Sequence, residues 1–515
     1  MFRIKQKTIL SILCAVCFFS FCTAQNKITF GESKEAITIS KHIYGHFAEH
    51  LGRCIYDGIY VGEENKMIPN TNGVRNDIIA ALKKLDIPNL RWPGGCFADT
   101  YHWKDGIGPK QQRPAIVNTW WGGVTENNSF GTHDFLNLCE LLGAEPYISG
   151  NVGSGQVQEL ADWLQYVNFN GKSPMSDLRR TNGRELPWKV KYWGVGNEAW
   201  GCGGNMTADY YADIYKKYAT FMSKWNGTDL YRIASGANGA NYEWTETLMK
   251  KIPKELVHGL ALHHYAVVDW NAKGPDTNFN SEQYFNTMKV TWQMNELVEK
   301  HAAIMDKYDP DKKIALVVDE WGAWYDENKE TDKGVLFQQN TMRDGLIAGI
   351  TLNIFNNHAD RVRMANLAQV VNVLQAVILT QGEKILLTPT YHVMEMYKVH
   401  HDATLIPLEI KTADFSYNGQ ILPAVTASAS IKNGKTHISL VNLDNTKKQS
   451  IDINTGSKTY KTAKGRILTS QKITDYNSFT DDHIVEPVPF TKIEMKGNQI
   501  SVNLPPFSVV VIELE

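Results

Sequence analysis

Apolar residues between positions 43 and 395 occur in short runs, and stretches with helical periodicity separate these runs. We predict eight strands, at 43–49, 87–93, 145–151, 192–197, 231–236, 257–264, 314–319 and 351–357. Helices are predicted between them, for example at 74–85, 133–142, 208–225 and 283–308. This alternation favours an α/β fold of the (β/α)8 or TIM barrel type. A doubly wound sheet is the alternative, but no glycine-rich phosphate loop follows the first strand.

The pattern changes near residue 400, where strand-like alternation of apolar and polar residues replaces the helical periodicity. Turn signals such as Asn418-Gly419 and Asn433-Gly434 separate the runs. We therefore expect a barrel at 41–395, followed by a C-terminal antiparallel β-sandwich of jelly-roll-like form at 396–515. The strand-like segment at 25–40 precedes the barrel and is expected to join the sandwich.

Residues 1–24 have the features of a signal peptide. Three basic residues precede the apolar run 8–21, which is too short to span a membrane, and small residues end the segment. Cleavage after Ala24 predicts an exported protein, either periplasmic or secreted, and lipidation at Cys22 is the alternative. No other apolar run is long enough to predict a membrane span.

Charge and cysteine content narrow the classes of partner and site. The net charge is −2, which gives no basic surface for nucleic acid or anionic membranes. Four of the seven cysteines lie beyond residue 24, at Cys54, Cys96, Cys139 and Cys202. They are sparse and form no C-x-x-C motif, so we interpret them as free thiols or at most one bridge. No metal site and no organic cofactor are predicted.

Polar residues at strand ends are informative because the chemistry of such a barrel gathers at the C-terminal ends of its strands. These residues are Glu49 after the first strand, Arg91 within the second, Asn197 and Glu198 after the fourth, His263, His264 and Tyr265 after the sixth, and Asp319 and Glu320 after the seventh.

Glu198 and Glu320 form the most informative pair. Each follows a Val-containing strand and has a tryptophan close by, in GVGNEAW and LVVDEWG. Two carboxylates that face one pocket can cleave a glycosidic bond, since one protonates the leaving oxygen while the other attacks the anomeric carbon or activates water. The alternative is that both glutamates belong to structural ion pairs. The tryptophan close to each glutamate, and the asparagine beside Glu198, favour the chemical interpretation.

Longer motifs surround these residues. They are GHFAEHLGRCIYDGIYVG (45–62), LRWPGGCFADTYHWKDGIGP (90–109), WGVGNEAWGCGG (193–204), ALHHY (261–265), VDEWGAWY (318–325) and DRVRMANLAQVVNVL (360–374). Together they resemble glycoside hydrolase family 51, the α-L-arabinofuranosidases, within the retaining barrel glycosidases of clan A. The resemblance covers nearly the whole chain beyond residue 24.

The resemblance implies roles for individual residues. Glu198 would be the general acid/base and Glu320 the nucleophile. Four further residues would contact the sugar, namely Glu49, Asn197, Tyr265 and Gln369. Arg91 and His263 are expected to support the carboxylates.

The roles of several further residues stay open. Cys96 stands where some family members carry a sugar-binding Asn, and a thiol is a weaker hydrogen-bond partner than an amide. Trp103, Trp120 and Trp121 could each stack on a sugar or pack in a core. The run 201–204 (GCGG) is expected to form a tight loop that lets substrate approach closely.

The resemblance therefore implies a retaining, exo-acting α-L-arabinofuranosidase that removes terminal arabinofuranosyl groups from plant polysaccharides or oligosaccharides. Such family members often assemble into homo-oligomers, commonly hexamers. Another activity of the same clan, such as a β-xylosidase or an endo-glucanase, is the nearer alternative. A non-catalytic sugar-binding protein is the more distant one. Preference among arabinan, arabinoxylan and short oligosaccharides stays open.

Overall fold

A computed structural model describes residues 26–32, 35–326 and 335–515, so the predicted signal segment 1–24 lies outside the described residues. Eight parallel strands close into a barrel in chain order, and the first pairs with the eighth. The strands are Gly45–Phe47, Asn89–Trp92, Glu145–Gly150, Tyr192–Val195, Tyr231–Asn238, Gly259–Ala266, Ala315–Ala323 and Val362–Ala368. The predicted barrel is therefore confirmed.

Helices connect and flank the barrel strands. They are Asn76–Lys84, Thr132–Leu142, Val157–Asn168, Pro174–Thr181, Ala208–Phe221, Tyr242–Lys251, Ser281–Tyr308, Met342–Asn357 and Pro389–Tyr397. Side chains cap several of their N-termini. For example, Asn280 accepts a hydrogen bond from the backbone N–H of Gln283, whose own side chain accepts one from Asn280. Within the described residues, every helix is too short or too polar to cross a lipid bilayer.

The eighth predicted strand was wrong. Residues 351–357 lie inside the helix Met342–Asn357, and the true eighth strand is Val362–Ala368. This helix is buried along nearly its whole length, and Asn353 and Asn356 donate to hydroxyls of the C-terminal sheet. A helix that is buried on all sides has no polar face, so its sequence cannot be distinguished from that of a buried strand by periodicity.

Two sheets rich in antiparallel strands form the C-terminal part. The larger contains Thr38–Ile39, Ala403–Ile406, Val425–Lys432, Lys435–Asn442, Ser508–Leu514, Ala463–Leu468 and Val488–Phe490. The smaller has the order Leu408–Lys411, Asn26–Phe30, Gln449–Asn454, Gln499–Leu504 and Ile493–Lys496. Buried and exposed residues alternate in strands such as Gln499–Leu504, which is typical of a sheet with one face on a core.

Four short hairpins complete the described strands. They are Asn70–Thr71 with Val74–Arg75, Ile116–Val117 with Thr125–Glu126, Ile378–Gln381 with Lys384–Leu387, and Asp414–Tyr417 with Gln420–Pro423. The second of these lies after the second barrel strand, and its turn carries the residues Trp120 and Trp121. This hairpin forms part of the pocket described next.

Candidate active site

A small cavity opens at the C-terminal ends of the barrel strands. Its volume is about 80 Å³. Its lining contains all seven residues predicted from sequence to be catalytic or to bind substrate, which are Glu49, Cys96, Asn197, Glu198, Tyr265, Glu320 and Gln369. A larger cavity of about 910 Å³ lies at the opposite end of the strands, but none of these residues lines it. The chemistry-bearing residues therefore define the smaller cavity as the candidate site.

The two glutamates come close together in this cavity. A carboxylate oxygen of Glu198, a ring nitrogen of His263 and a carboxylate oxygen of Glu320 all lie within 4.8 Å of one another. Nδ1 of His263 is 2.9 Å from Oε1 of Glu198 and 3.7 Å from Oε2 of Glu320. Burial alone would lower the pKa of His263, but the surrounding carboxylates, led by Glu320, raise it to about 10. An imidazolium therefore lies between the two carboxylates.

The backbone after the fourth strand turns sharply and brings Glu198 into the cavity. Gly196 and Glu198 both have positive φ, at 83° and 40°. For a non-glycine residue this conformation is uncommon, and it is typical of functional sites where the surrounding structure imposes it. Trp193, on the fourth strand, packs edge-on against Trp163 and donates its ring N–H to the carbonyl of Val190.

Arg91 connects the two sides of the site. Its guanidinium donates to Oε1 of Glu320 and to Oδ1 of Asn197, each at 2.7 Å. Burial opposes its charge, but Asp319 and Glu320 hold the pKa of Arg91 above its ordinary value. The side chain is therefore a fixed cation that orients Glu320 and the amide of Asn197.

Tyr265 contacts the other oxygen of Glu320. Its hydroxyl donates to Oε2 at 2.7 Å. Burial and the charge of Glu320 raise the pKa of Tyr265 well above its ordinary value, so the hydroxyl keeps its proton as a donor. With Arg91 on Oε1, both oxygens of Glu320 have a hydrogen-bond partner.

Glu49 forms a second acidic position in the pocket. Its Oε1 accepts from the backbone N–H of Phe97 and from Nε1 of Trp121, and its Oε2 accepts from Nε2 of Gln369, each at 3.0 Å. Burial and the nearby Glu320 raise the pKa of Glu49 to about 7. Of the three open tryptophans, Trp121 thus belongs to the pocket.

The other two tryptophans lie elsewhere. Trp103 is buried and stacks on Trp163, whereas Trp120 is 42% exposed on the hairpin turn.

Cys96 is not a free thiol, because it forms a disulfide with Cys202. The sulfur atoms of Cys202 and Cys96 lie 3.5 and 4.0 Å from Oε2 of Glu198. A bridged sulfur carries no proton, so these are packing contacts along the carboxylate. Cys54 and Cys139 are buried free thiols. The bridge joins the segment after the second strand to the loop after the fourth.

The loop 201–204 is tight, as expected, but it is tight because it packs against neighbouring backbone and not because substrate must approach it. The backbone N–H groups of Gly201 and Gly203 both donate to the carbonyl of Glu198. A Cβ on Gly203 would lie 1.8 Å from the carbonyl oxygen of Asn197. The glycine at 203 is therefore required because the loop folds against the backbone of Asn197 and Glu198.

Asp99 and Trp324 are site residues that the sequence analysis did not identify. Asp99 is buried and accepts hydrogen bonds from the backbone N–H groups of Val152, Gly153 and Asn197, and so joins three loops. Burial raises its pKa to about 6. Trp324 lines the pocket. Its place in the motif VDEWGAWY, four residues after Glu320, was the available signal.

Glu198, His263 and Glu320 are close enough in space to hold a metal ion. Side-chain cations already pair with these carboxylates. Despite burial, Glu320, Asp319 and Glu198 raise the pKa of His263 to about 10, which favours the imidazolium. Glu320 already has a guanidinium at 2.7 Å. The positive charge in this site thus comes from side chains.

A parallel (β/α)8 barrel with two adjacent carboxylates at its C-terminal end is the arrangement of a barrel glycosidase. Family models agree with that class. Residues 81–283 match the α-L-arabinofuranosidase 1 domain, and residues 319–508 match the α-L-arabinofuranosidase C-terminal domain.

Individual relatives are also similar. The chain is 53% identical over 480 residues, 93% of each chain, to a Bacteroides ovatus protein named intracellular exo-α-L-arabinofuranosidase. It is 35% identical over 362 residues, 68% of this chain and 69% of the relative, to a probable α-L-arabinofuranosidase C of Aspergillus fumigatus.

Among solved structures, the GH51 arabinofuranosidase from Xanthomonas axonopodis pv. citri superposes with a TM-score of 0.93 at 45% identity, covering 95% of this chain and 100% of that one. An arabinose complex of the Thermotoga maritima α-L-arabinofuranosidase gives 0.83 at 31% identity, covering 95% and 99%. The chain belongs to glycoside hydrolase family 51, the α-L-arabinofuranosidases.

The predicted export is wrong. The Bacteroides ovatus relative, which aligns over 93% of both chains, is named an intracellular enzyme. A short N-terminal segment of basic and apolar residues is only compositional evidence for export, because export also requires that a receptor recognise the segment as a signal. The periplasmic or secreted location is therefore withdrawn.

Proposed function

We propose that the protein hydrolyses terminal, non-reducing α-L-arabinofuranosyl groups by a retaining double displacement, with Glu320 as nucleophile and Glu198 as general acid/base. The observation that carries the mechanism is the separation of the two carboxylates. Their oxygens within 4.8 Å fit a retaining pair, since an inverting pair needs about 6.5–9.5 Å to admit a water.

In the first step, Oε2 or Oε1 of Glu320 attacks the anomeric carbon while the bond from that carbon to the leaving oxygen breaks. Glu198 donates its proton to the leaving oxygen. In the second step, Glu198 takes a proton from water, the water oxygen bonds to the anomeric carbon, and the ester bond to Glu320 breaks. Two inversions give net retention, and both carboxyl groups return to their starting states.

The hydrogen-bond partners of Glu320 support this role. Tyr265 and Arg91 each hold one of its oxygens at 2.7 Å. Donors in these positions orient the carboxylate for attack and stabilise it again as it leaves the sugar. Both partners are buried or nearly so, and therefore rigidly placed.

We assign the remaining pocket residues to sugar binding. Asn197 lines the cavity, its Oδ1 accepts from Arg91, and we assign its Nδ2, which lies 3.7 Å from the sulfur of Cys202, as a donor for a sugar hydroxyl. Glu49 and Gln369 line the same cavity and supply acceptors, including the buried Oε1 of Gln369, which has no hydrogen-bond partner among the described residues. Cys96 contributes by packing, through the disulfide wall.

The small cavity volume of about 80 Å³ supports an exo action, because binding along a polysaccharide chain would need a long groove. Arabinan, arabinoxylan and short oligosaccharides all present such terminal groups.

Hydrolysis of an aryl α-L-arabinofuranoside tests the proposal. Wild type should release the aryl group, whereas Glu320→Ala should be essentially inactive. Glu64, which is 98% exposed on the surface, provides the control variant Glu64→Ala with unchanged rates. NMR of the first product should show the α anomer. A first product of β configuration, or an active Glu320→Ala variant, contradicts the mechanism, and faster hydrolysis of an aryl β-xyloside contradicts the substrate.

We also propose that 41–395 forms the catalytic domain and that 396–515, with the N-terminal strand, forms the second. A homo-oligomer, by the family resemblance a hexamer, is the proposed assembly. Light scattering on the purified protein measures its mass directly, and a monomer of 58.1 kDa would contradict the assembly.

A further inference from the structure

A row of three aromatic rings runs from the nucleophile to the protein surface. Tyr265, which contacts Glu320, packs edge-on against Trp324 with ring centroids 5.4 Å apart. Trp324 in turn packs edge-on against Trp270, also at 5.4 Å. Trp324 is partly buried in the pocket wall, whereas Trp270 is 57% exposed. The row therefore leads out of the cavity.

Large exposed aromatic side chains need an explanation when they adjoin a binding site, since burying them is favourable. The turn that carries Trp270 is built to hold it there. Asp269 accepts from the backbone N–H of Asn271, and the backbone of Gly274 exchanges two hydrogen bonds with Asp326. The ring is thus fixed by its turn and by its contact with Trp324.

Both the row and the uncleaved part of the substrate extend from the cavity to the protein surface. In the proposed function the terminal sugar occupies the small cavity, so the rest of the carbohydrate leaves through its mouth. One ring-to-ring step of 5.4 Å is comparable to the length of one monosaccharide unit. Apolar faces of sugar rings stack on aromatic side chains, and this contact does not depend on any one linkage.

We propose that Trp270 is a binding residue for the part of the carbohydrate beyond the released sugar, contacting a unit farther along the chain than the one next to the scissile bond. The inference rests on the proposed function. It makes Trp270 a specificity-determining residue that favours oligosaccharide and polysaccharide substrates over those with a short leaving group.

The test compares substrates of increasing length. Values of kcat/KM are measured for an aryl α-L-arabinofuranoside and for α-linked arabino-oligosaccharides of two, three and four units, with wild type, Trp270→Ala and Trp270→Phe. We expect Trp270→Ala to lower the ratio of kcat/KM for the trisaccharide to that for the aryl glycoside by roughly three- to ten-fold, the range of one aromatic contact. Trp270→Phe should restore part of the ratio.

Phe221→Ala is the matched control, because Phe221 is 58% exposed at the far end of the helix Ala208–Phe221. Its ratio should equal that of wild type. An unchanged ratio in Trp270→Ala, or an equal loss on every substrate, overturns the inference while leaving the proposed function intact. Failure of the function itself would appear separately, as a wild type that does not hydrolyse the aryl glycoside.

Discussion

Gly203→Ala tests whether the loop after the fourth strand places the acid/base. The added Cβ would lie 1.8 Å from the carbonyl oxygen of Asn197, whereas real Cβ atoms essentially never come within 3.0 Å of a neighbour. The clash is with backbone, so no side-chain rotation relieves it. The loop or the Asn197-Glu198 peptide must therefore move by about 1 Å, and a displacement of that size costs roughly 10²-fold in rate.

The same displacement should destabilise the protein only moderately, by about 1–3 kcal/mol, as is usual for overpacking. Gly201→Ala is the matched control, because a Cβ there would meet nothing closer than 3.7 Å. Both glycines have φ outside the left-handed region, so alanine is compatible with both backbones. The assay is kcat/KM for an aryl arabinofuranoside with thermal unfolding in parallel. Wild-type activity in Gly203→Ala, or an equal loss in Gly201→Ala, would refute the reasoning.

Three further predictions concern groups around the carboxylates. Tyr265→Phe removes a donor to Glu320 at 2.7 Å. A charged hydrogen bond of about 1.5–3 kcal/mol predicts a 10- to 100-fold lower kcat/KM. A variant with the kcat/KM of wild type would contradict this. Replacing both Cys96 and Cys202 by Ser opens a loop of 106 residues. Chemical denaturation should therefore show a stability loss of up to about 4.7 kcal/mol, and the KM should rise. An unchanged KM would show that the bridge does not shape the pocket. In the folded protein His263 has a pKa of about 10, against an ordinary value of 6.5. Its stabilising contribution is therefore complete below pH 6.5 and is lost as the pH rises through 10. The difference in melting temperature between wild type and His263→Gln should shrink across that interval. A constant difference would contradict the assigned charge.

The barrel and most of the pocket were predictable because the C-terminal ends of all eight strands in such a fold surround one pocket. Glu198 and Glu320 could be paired from sequence because each follows an apolar strand, and the long motifs supplied Glu49 and Gln369. Gln369 lies at the end of the eighth strand, so its position in the pocket holds although the strand itself was placed wrongly.

What the sequence could not supply depends on contacts between distant segments. The bridge between Cys96 and Cys202 is invisible in spacing, since 106 residues separate the two. Asp99 resembled any loop aspartate, and only the fold shows three backbone N–H groups converging on it. Residues 351–357 of the helix Met342–Asn357 were predicted to form a strand, because this helix is buried on all sides and lacks the polar face that marks a surface helix.

The N-terminal strand Asn26–Phe30 has a consequence for how the chain is made. It lies between Leu408–Lys411 and Gln449–Asn454, so both of its partners are synthesised after the barrel residues, more than 370 positions farther along the chain. At ribosomal speeds of about 5–20 residues per second, the strand waits roughly 20–80 s for them. The barrel residues emerge during that interval. The five-stranded sheet therefore cannot be assembled until the barrel residues have emerged, and its completion joins the first described residues to strands beyond residue 400.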